Sequence, residues 1–268
     1  MLVGTASSIL EAGDIDMKPY RFLFLTFVFI FSLFALPDSV LALPKKRGGK
    51  GAFAGGSFSM GLGVSLLTAE QNGLNNLIRA AKAQPGLNVS TGDLSSGYEL
   101  SGQFTFRFSN GLVALQLRPG YFTQSATGSG TDGNYDYKLT GFSLFPLFRL
   151  IPLSNDIIDF YLQGGIGYGK LDGEITNGPR NSSFSGSGFG MQVGLGADFC
   201  LLPEHCVGIE GNYRYLPLSR NIVKNGSALP PYGATQSIPN RELEDADGND
   251  VATSMSGISG ALNYTFNF

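Results

Sequence analysis

The chain has 268 residues, with 38 glycines, 12% aromatic residues, no tryptophan and a formal net charge of −3. Charged residues make up 15% of it, against roughly 25% in soluble domains, which argues against a soluble enzyme and against a basic nucleic-acid surface. One histidine and two cysteines leave little for His- or Cys-based metal sites or catalysis, so we expect no cofactor.

The first 42 residues have the order of regions found in a secretory signal peptide. Lys18 and Arg21 precede an apolar run at 22–36, and small or apolar residues at 40–42 suit a cleavage site. A transmembrane anchor is the alternative, but the run is short for a bilayer that needs about 20 residues. Acidic residues before position 17 suggest that translation starts at Met17. We therefore expect an upstream extension and cleaved signal peptide over 1–42, a short periplasmic segment over 43–53, and a barrel over 54–268.

The rest of the chain alternates apolar residues with small or polar ones. The last segment shows it most clearly, because Leu262, Tyr264, Phe266 and Phe268 share one face and small polar residues lie on the other. Eight such segments occur, at 57–66, 100–108, 113–121, 135–150, 158–168, 189–199, 207–215 and 261–268. The fourth is less regular, since two apolar residues fall on its polar face.

Strands of about ten residues are long enough to cross a bilayer when tilted. Short connections at 109–111, 153–156 and 203–206 alternate with long ones at 67–96, 126–134, 174–184 and 217–252. This alternation predicts an all-β fold, an eight-stranded antiparallel transmembrane β-barrel in an outer membrane. An even strand number puts both termini on the periplasmic side and the long loops outside. A soluble sandwich or lipocalin-like barrel also alternates, but its outer face would then be glycine-rich and charge-poor.

The last strand, 260–268, resembles the C-terminal targeting signal of bacterial outer-membrane proteins, with Leu262, Tyr264, Phe266 and Phe268 at the matching positions. The stretch 188–215 is similar to the penultimate hairpin of small barrels of the OmpA membrane domain, OmpX and OmpW type. The resemblance implies outer-membrane lipid and lipopolysaccharide as surroundings, and the barrel assembly machinery as a partner during insertion. It specifies architecture rather than activity.

Charged residues lie on the face that would point into the barrel. They are Arg107, Arg118, Arg149, Arg214, Glu99, Asp198 and Glu210. An Arg facing lipid at the midplane would cost about 2–4 kcal/mol, whereas inside the barrel the charges can pair. Either they hold the barrel together as a closed polar core, or they line a gated narrow pore. An eight-stranded barrel has room only for side chains or one small ligand, which favours the closed core.

Cys200 and Cys206 flank the last short turn, and both fall on the inward phase. Hairpin ends place such residues near disulfide reach, and export favours oxidation. We predict a disulfide, with two free thiols as the alternative. His205 lies in the same turn, far from any extracellular pocket, so we expect no catalytic role for it.

The first long loop has the pattern of an amphipathic helix. Residues 68–71 form a capping-box pattern, Leu74, Leu77, Ile78 and Ala81 follow at helical spacing, and 85–86 is a Pro-Gly stop. The helix either packs over the barrel mouth or serves as a lid or partner-binding element.

The last long loop is acidic. Asp245, Asp247, Asn249 and Asp250 around a glycine resemble part of a calcium loop. The twelfth position is a serine rather than the required glutamate, so a solvated loop is favoured.

These patterns leave three kinds of function. The first is a non-enzymatic, structural or surface-interaction barrel, monomeric, that meets an extracellular partner through its loops. The second is a narrow channel for small or hydrophobic solutes. The third, an enzyme, is weakest. No nucleic-acid partner is expected.

Overall fold

The computed structural model describes residues 57–202, 204–226, 237–245 and 247–268. Within them, eight long strands surround an axis: β1 (Ser57–Thr68), β2 (Ser96–Arg107), β3 (Val113–Gly130), β4 (Gly133–Ser154), β5 (Ile158–Asn177), β6 (Arg180–Leu202), β7 (His205–Tyr215) and β11 (Gly257–Asn267). Short strands β8 (Pro217–Leu218), β9 (Asn221–Gly226) and β10 (Thr253–Ser254) lie between β7 and β11, and helix α1 (Asn72–Ala83) lies between β1 and β2. The predictions for 1–42 and 43–53 fall outside the described residues.

The strands form a closed antiparallel ring. Each long strand pairs with the next along the chain, and β1 also pairs with β11, from Ser59 opposite Asn267 to Leu67 opposite Ser259. Closure hydrogen-bonds the backbone within the sheet, which a segment in lipid requires. The predicted eight-stranded barrel, with a helix in its first long loop, is confirmed. No helix in the described parts of the chain is long and apolar enough to cross a bilayer.

The outer face of the ring carries an apolar band. Large side chains on it are widely exposed, including Leu62 (65%), Ile166 (76%) and Phe189 (79%). We name the rim with the start of β1 and the end of β11 the terminal end, and the opposite rim the loop end. Aromatic residues of the outer face lie at both edges of the band. At the terminal edge they are Phe106, Phe108, Phe199, Tyr264, Phe266 and Phe268, and at the loop edge they are Tyr98, Tyr121, Phe142, Tyr168, Phe189, Tyr213 and Tyr215. Apolar bands flanked by aromatic girdles are typical of barrels that span a membrane.

Strands β3 to β6 continue well beyond the band. The prediction of long loops at 126–134 and 174–184 was wrong, because these residues belong to strands joined by tight turns at Gly130–Gly133 and Asn177–Arg180. In these extensions the inward-facing positions continue the same alternation along the strand, but the apolar side chains now occupy them and the polar side chains point outward. On β4, Tyr137 and Leu139 point inward and are buried, while Lys138 is exposed on the outside.

Above the band these extensions enclose a hydrophobic core, which we call the cap. Residues 87–91 run beside β3, β9 runs beside β6, and residues 240–243 run beside β9. Helix α1 fills the space between, with Leu74, Leu77 and Ile78 fully buried. They share the core with Leu94, Tyr137, Leu139, Leu171, Ile175, Phe184, Leu218, Val223, Leu243 and Val251. The apolar stripe of the helix is therefore used inside the cap, over the barrel mouth.

The predicted capping box was wrong. The helix begins at Asn72 after Gln71, which makes no side-chain capping bond. Thr68 is instead the last residue of β1, and its hydroxyl bonds both backbone groups of Ile258 on β11. Thr68, which the local pattern assigned to the start of the helix, therefore belongs to the pairing of β1 with β11.

Candidate functional site

Glu210 on β7 is the centre of a buried polar network in the lumen. Its carboxylate accepts hydrogen bonds through both oxygens from Arg118 on β3, with 2.7 Å between Nη2 and Oε2. It also accepts from Arg149 Nη2 at 3.3 Å, from the Tyr161 hydroxyl at 3.0 Å and from Asn212 Nδ2 at 2.6 Å. Its side chain is 0% exposed. One carboxylate thus links strands β3, β4, β5 and β7 across the barrel.

Arg149 extends this network toward the terminal end. Its Nε donates to Gln163 Oε1 at 2.8 Å, and its Nη1 lies 3.8 Å from an oxygen of Asp198. Its guanidinium carbon lies 3.9 Å from the centre of the Tyr161 ring, a cation–π arrangement. All these side chains lie on the inward phase that the sequence indicated.

Tyr161 fits inside the lumen because its neighbour has no side chain. Gly196, its register partner on β6, would place a Cβ 2.5 Å from the Tyr161 ring. The sequence analysis did not identify Tyr161 as part of the polar network, and so missed its bond to Glu210. The sequence did contain an indication of this role, because Tyr161 is a large aromatic residue on a strand face otherwise made of glycine and glutamine.

Two further ion pairs lie on either side of the network. Toward the loop end, Arg214 Nη1 lies 2.6 Å from Glu99, and its Nε donates to the Met255 carbonyl at 2.7 Å, which ties this pair to the cap. Toward the terminal end, Arg107 lies 3.0 Å from Asp159, a partner that the sequence reasoning did not name.

The structure groups the predicted lumen residues into three sets. Arg118, Arg149, Asp198 and Glu210 form one network, whereas Arg107 and Arg214 belong to the separate pairs. Side-chain exposure falls from 18% at Arg107 and 15% at Asp198 to 6% at Arg149. The charged side chains are therefore more exposed near the terminal end than in the middle of the lumen.

The turn between β6 and β7 carries a disulfide. Cys200 and Cys206 are register partners, bonded to each other, with their Cα atoms 4.0 Å apart. Asn267 Nδ2 donates to Cys206 Sγ at 3.2 Å, so the turn also contacts the last strand. His205 lies on the outside, with Nδ1 2.5 Å from the Tyr264 hydroxyl.

The four residues of the proposed assembly signal point away from the lumen. Leu262 and Tyr264 are exposed within the band. Phe266 and Phe268 stack edge to face, with ring centres 4.9 Å apart, and the Phe268 ring lies 5.8 Å from that of Phe58. These residues form the terminal-end girdle at the seam where the ring closes.

The acidic loop is folded around Asp245. The Asp245 Oδ1 accepts hydrogen bonds from the backbone N–H groups of Asp247 and Asn249, both at 2.9 Å. Among the described residues, no group of three or more His, Cys, Asp or Glu side chains is arranged to hold a metal ion. The segment is built as a turn.

No protein-family model and no curated protein matches the chain. Solved structures similar to it include Neisserial surface protein A (12% identity, 80% of this chain, 99% of that one, TM-score 0.42). Others are the attachment invasion locus protein Ail of Yersinia pestis (14%, 80% and 99%, 0.34) and a major outer membrane protein of Thermus thermophilus (12%, 79% and 99%, 0.42). Similarities this distant say nothing of activity or partner. The ring, the apolar band, the girdles and the polar lumen decide the class. The chain has the fold of a small outer-membrane β-barrel.

Proposed function

We propose that this barrel is a non-enzymatic, non-conducting outer-membrane protein that presents its cap as a surface for an extracellular partner. The proposal includes periplasmic termini, extracellular loops and a monomeric state. The terminal end has only short turns between its strands, whereas the loop end carries two long connections, β1 to β2 and β7 to β11, and two hairpins that extend beyond the band, and this asymmetry supports the orientation.

The main support for the proposal is that two features obstruct the path along the barrel axis, the cap and the Glu210 network. A solute would have to pass the hydrophobic core of the cap and then the Glu210 network, in a barrel with room for little beyond its own side chains. The cap is also held by buried polar bonds. Gln71 Nε2 donates to Gln124 Oε1 at 3.0 Å and to the Ser254 carbonyl at 2.7 Å. Asn75 bonds both backbone groups of Leu94, at 3.1 and 2.7 Å.

A cap fixed in this way suits recognition better than gating. Binding by a preformed surface avoids the ordering cost of flexible loops. The outer face of α1 is charged, with Arg79 Nη2 2.8 Å from Asp93 and Lys82 3.9 Å from the same residue. A partner would therefore meet a polar, ordered surface.

Conductance tests the closed lumen. Refolded protein in a planar bilayer should show no discrete current steps, and Glu210→Ala should not create them as long as the cap is intact. Unitary currents in the wild type that Glu210→Ala enlarges would overturn the proposal and support the narrow channel.

Accessibility tests the orientation. A short epitope inserted in the tight turn at 131–132 should be labelled by antibody on intact cells, whereas the same epitope at 109–110 should be labelled only after permeabilisation. The reverse labelling would refute the orientation. Surface adhesion tests the role of the cap. Cells that express a variant with substitutions in the cap should lose any adhesion that the wild type confers, while the barrel assembles in the membrane to the same extent.

The assembly machinery is proposed as a partner on the basis of the last strand. Phe268→Ala should lower the fraction of barrel assembled in the membrane, because the terminal aromatic is part of the signal. Phe189→Ala is the matched control, since Phe189 is also an exposed aromatic of the band. Equal assembly of the two variants would contradict this role.

A further inference from the structure

The disulfide between Cys200 and Cys206 lies where the last strand of the ring pairs with β7. His205 and Cys206, at the start of β7, are the register partners of Phe266 and Thr265 on β11. On its other side, the start of β7 is bonded to the end of β6 through the disulfide. The strand that completes the ring therefore pairs with a part of β7 whose position the disulfide restrains.

The last strand also contacts this turn through side chains and backbone. Asn267 Nδ2 donates to Cys206 Sγ at 3.2 Å, and the backbone N–H of Asn267 donates to the Glu204 carbonyl at 2.8 Å. The rings of His205 and Phe266 meet edge to face, with 5.1 Å between their centres. Two residues at the end of the chain thus contact three consecutive residues of the disulfide-bonded turn.

The disulfide is covered in the closed ring. Cys200 is 5% exposed and Cys206 is 3% exposed, and Asn267 of the neighbouring strand contacts the Cys206 sulfur. Thiol–disulfide exchange requires a thiolate to reach a sulfur and to join it in a mixed disulfide. A protein oxidant has no room to form that intermediate with a sulfur inside the completed barrel. The cysteines must therefore be oxidised before β11 closes the ring.

We propose that oxidation of Cys200 and Cys206 precedes closure of the barrel, and that the open chain is a substrate of a periplasmic oxidase carrying a reactive disulfide. One cysteine thiolate attacks the oxidase disulfide, forms a mixed disulfide and displaces one oxidase thiolate. The second cysteine thiolate then attacks the mixed disulfide, forms the Cys200–Cys206 bond and displaces the other oxidase thiolate. Two electrons and two protons pass to the oxidase, which leaves as a dithiol. The oxidised turn then receives β11, which covers the bond.

The order of the two steps depends only on the closed ring, whereas the type of oxidant depends on the proposed periplasmic position of the terminal end. Reversed epitope labelling would remove the periplasmic oxidase. It would leave the buried bond and the order of the two steps unchanged.

Access to the bond is tested in the refolded full chain in lipid vesicles. Folded and urea-unfolded samples are treated with excess glutathione and quenched with acid, and free thiols are then labelled with a maleimide polymer under denaturing conditions. Heat-shift electrophoresis of a parallel sample confirms the folded state. The folded barrel should keep its disulfide, whereas the unfolded chain should be labelled at both cysteines. Equal rates of reduction in the two samples would overturn the proposal.

The order of steps is tested by pulse labelling of cells that express the full chain. Each time point is divided, so that acid trapping and alkylation report the thiols while mild lysis and heat shift report closure. At early times the oxidised fraction should exceed the closed fraction. A closed fraction larger than the oxidised fraction would overturn the order.

Refolding rates test whether the oxidised turn assists docking of β11. Reductant present throughout refolding into vesicles should slow the appearance of the heat-shifting form of the wild type by about fivefold, because the open turn is then unrestrained. The double variant with Cys200→Ser and Cys206→Ser is the matched control. It should refold at the slower rate with or without reductant. Equal rates for the oxidised and the reduced wild type would overturn the docking role of the turn.

Discussion

Replacing Glu210 by Gln should cost more stability than any surface change in this chain. The substitution keeps the size of the side chain but removes the one negative charge that two buried arginines share. It also turns an amide N–H toward donors that need an acceptor. Breaking a buried ion pair from one side costs about 3–5 kcal/mol, because the remaining charge stays buried without its partner. Arg149 keeps only Asp198, at 3.8 Å, and Arg118 has no other carboxylate within ion-pair distance among the described residues.

The measurement is equilibrium urea unfolding in lipid vesicles, followed by circular dichroism and by electrophoretic heat shift, since the chain has no tryptophan. Glu242→Gln is the matched control. Its partner Arg220 lies 2.9 Å away but is 75% exposed, so the loss should stay below about 1 kcal/mol. A double variant, Glu210→Leu with Arg118→Met, should recover part of the loss because it removes Glu210 together with one of its two arginines and leaves Arg149 beside Asp198. Equal stabilities of Glu210→Gln and Glu242→Gln would refute the role assigned to the network.

Three further outcomes follow from the same contacts. Reduction of the bond between Cys200 and Cys206, or their joint replacement by Ser, should lower the free energy of unfolding by about 2 kcal/mol, read from urea midpoints with and without reductant; no shift would count against it. Gly196→Leu should prevent assembly of a heat-shifting barrel, because its side chain would occupy the position of the Tyr161 ring; a stably folded variant would contradict that packing. Leu77→Ala should destabilise the cap by about 2–5 kcal/mol and expose residues 69–95 to protease while the barrel stays folded; unchanged cleavage would show that the helix does not seal the mouth.

Much of the barrel could be predicted from the chain because lipid imposes a simple rule on strands. Within the band, side chains such as Leu262 and Tyr264 face lipid and are apolar, while the alternate residues face the lumen and are mostly small or polar, so the alternation identifies both faces and the phase of every charged residue. The same rule failed above the band. There Tyr137 and Lys138 reverse the pattern, because water surrounds the wall and the apolar side chains turn inward.

Side-chain contacts between strands that are distant in the sequence could not be predicted either. The sequence indicated that Arg118, Arg149 and Glu210 face inward, but not that one carboxylate serves both arginines or that Tyr161 donates to it. Those contacts depend on register and on the space left by Gly196, which no local pattern encodes. The capping-box pattern at Thr68 failed for the same reason, since pairing with Ile258 is a contact across the closed ring.

The sequence alone determined which face of each strand contacts hydrocarbon, because hydrophobic residues recur at every second position and successive side chains point to opposite faces. It determined the strand number and the inward phase of the charges as well. Only the tertiary structure decided what lies over the barrel mouth and what fills the lumen. The cap, where α1, β9 and the extended walls of β3 to β6 bury one core together, lies over the mouth. The charge network in the lumen exists only once the ring brings four strands together at Glu210.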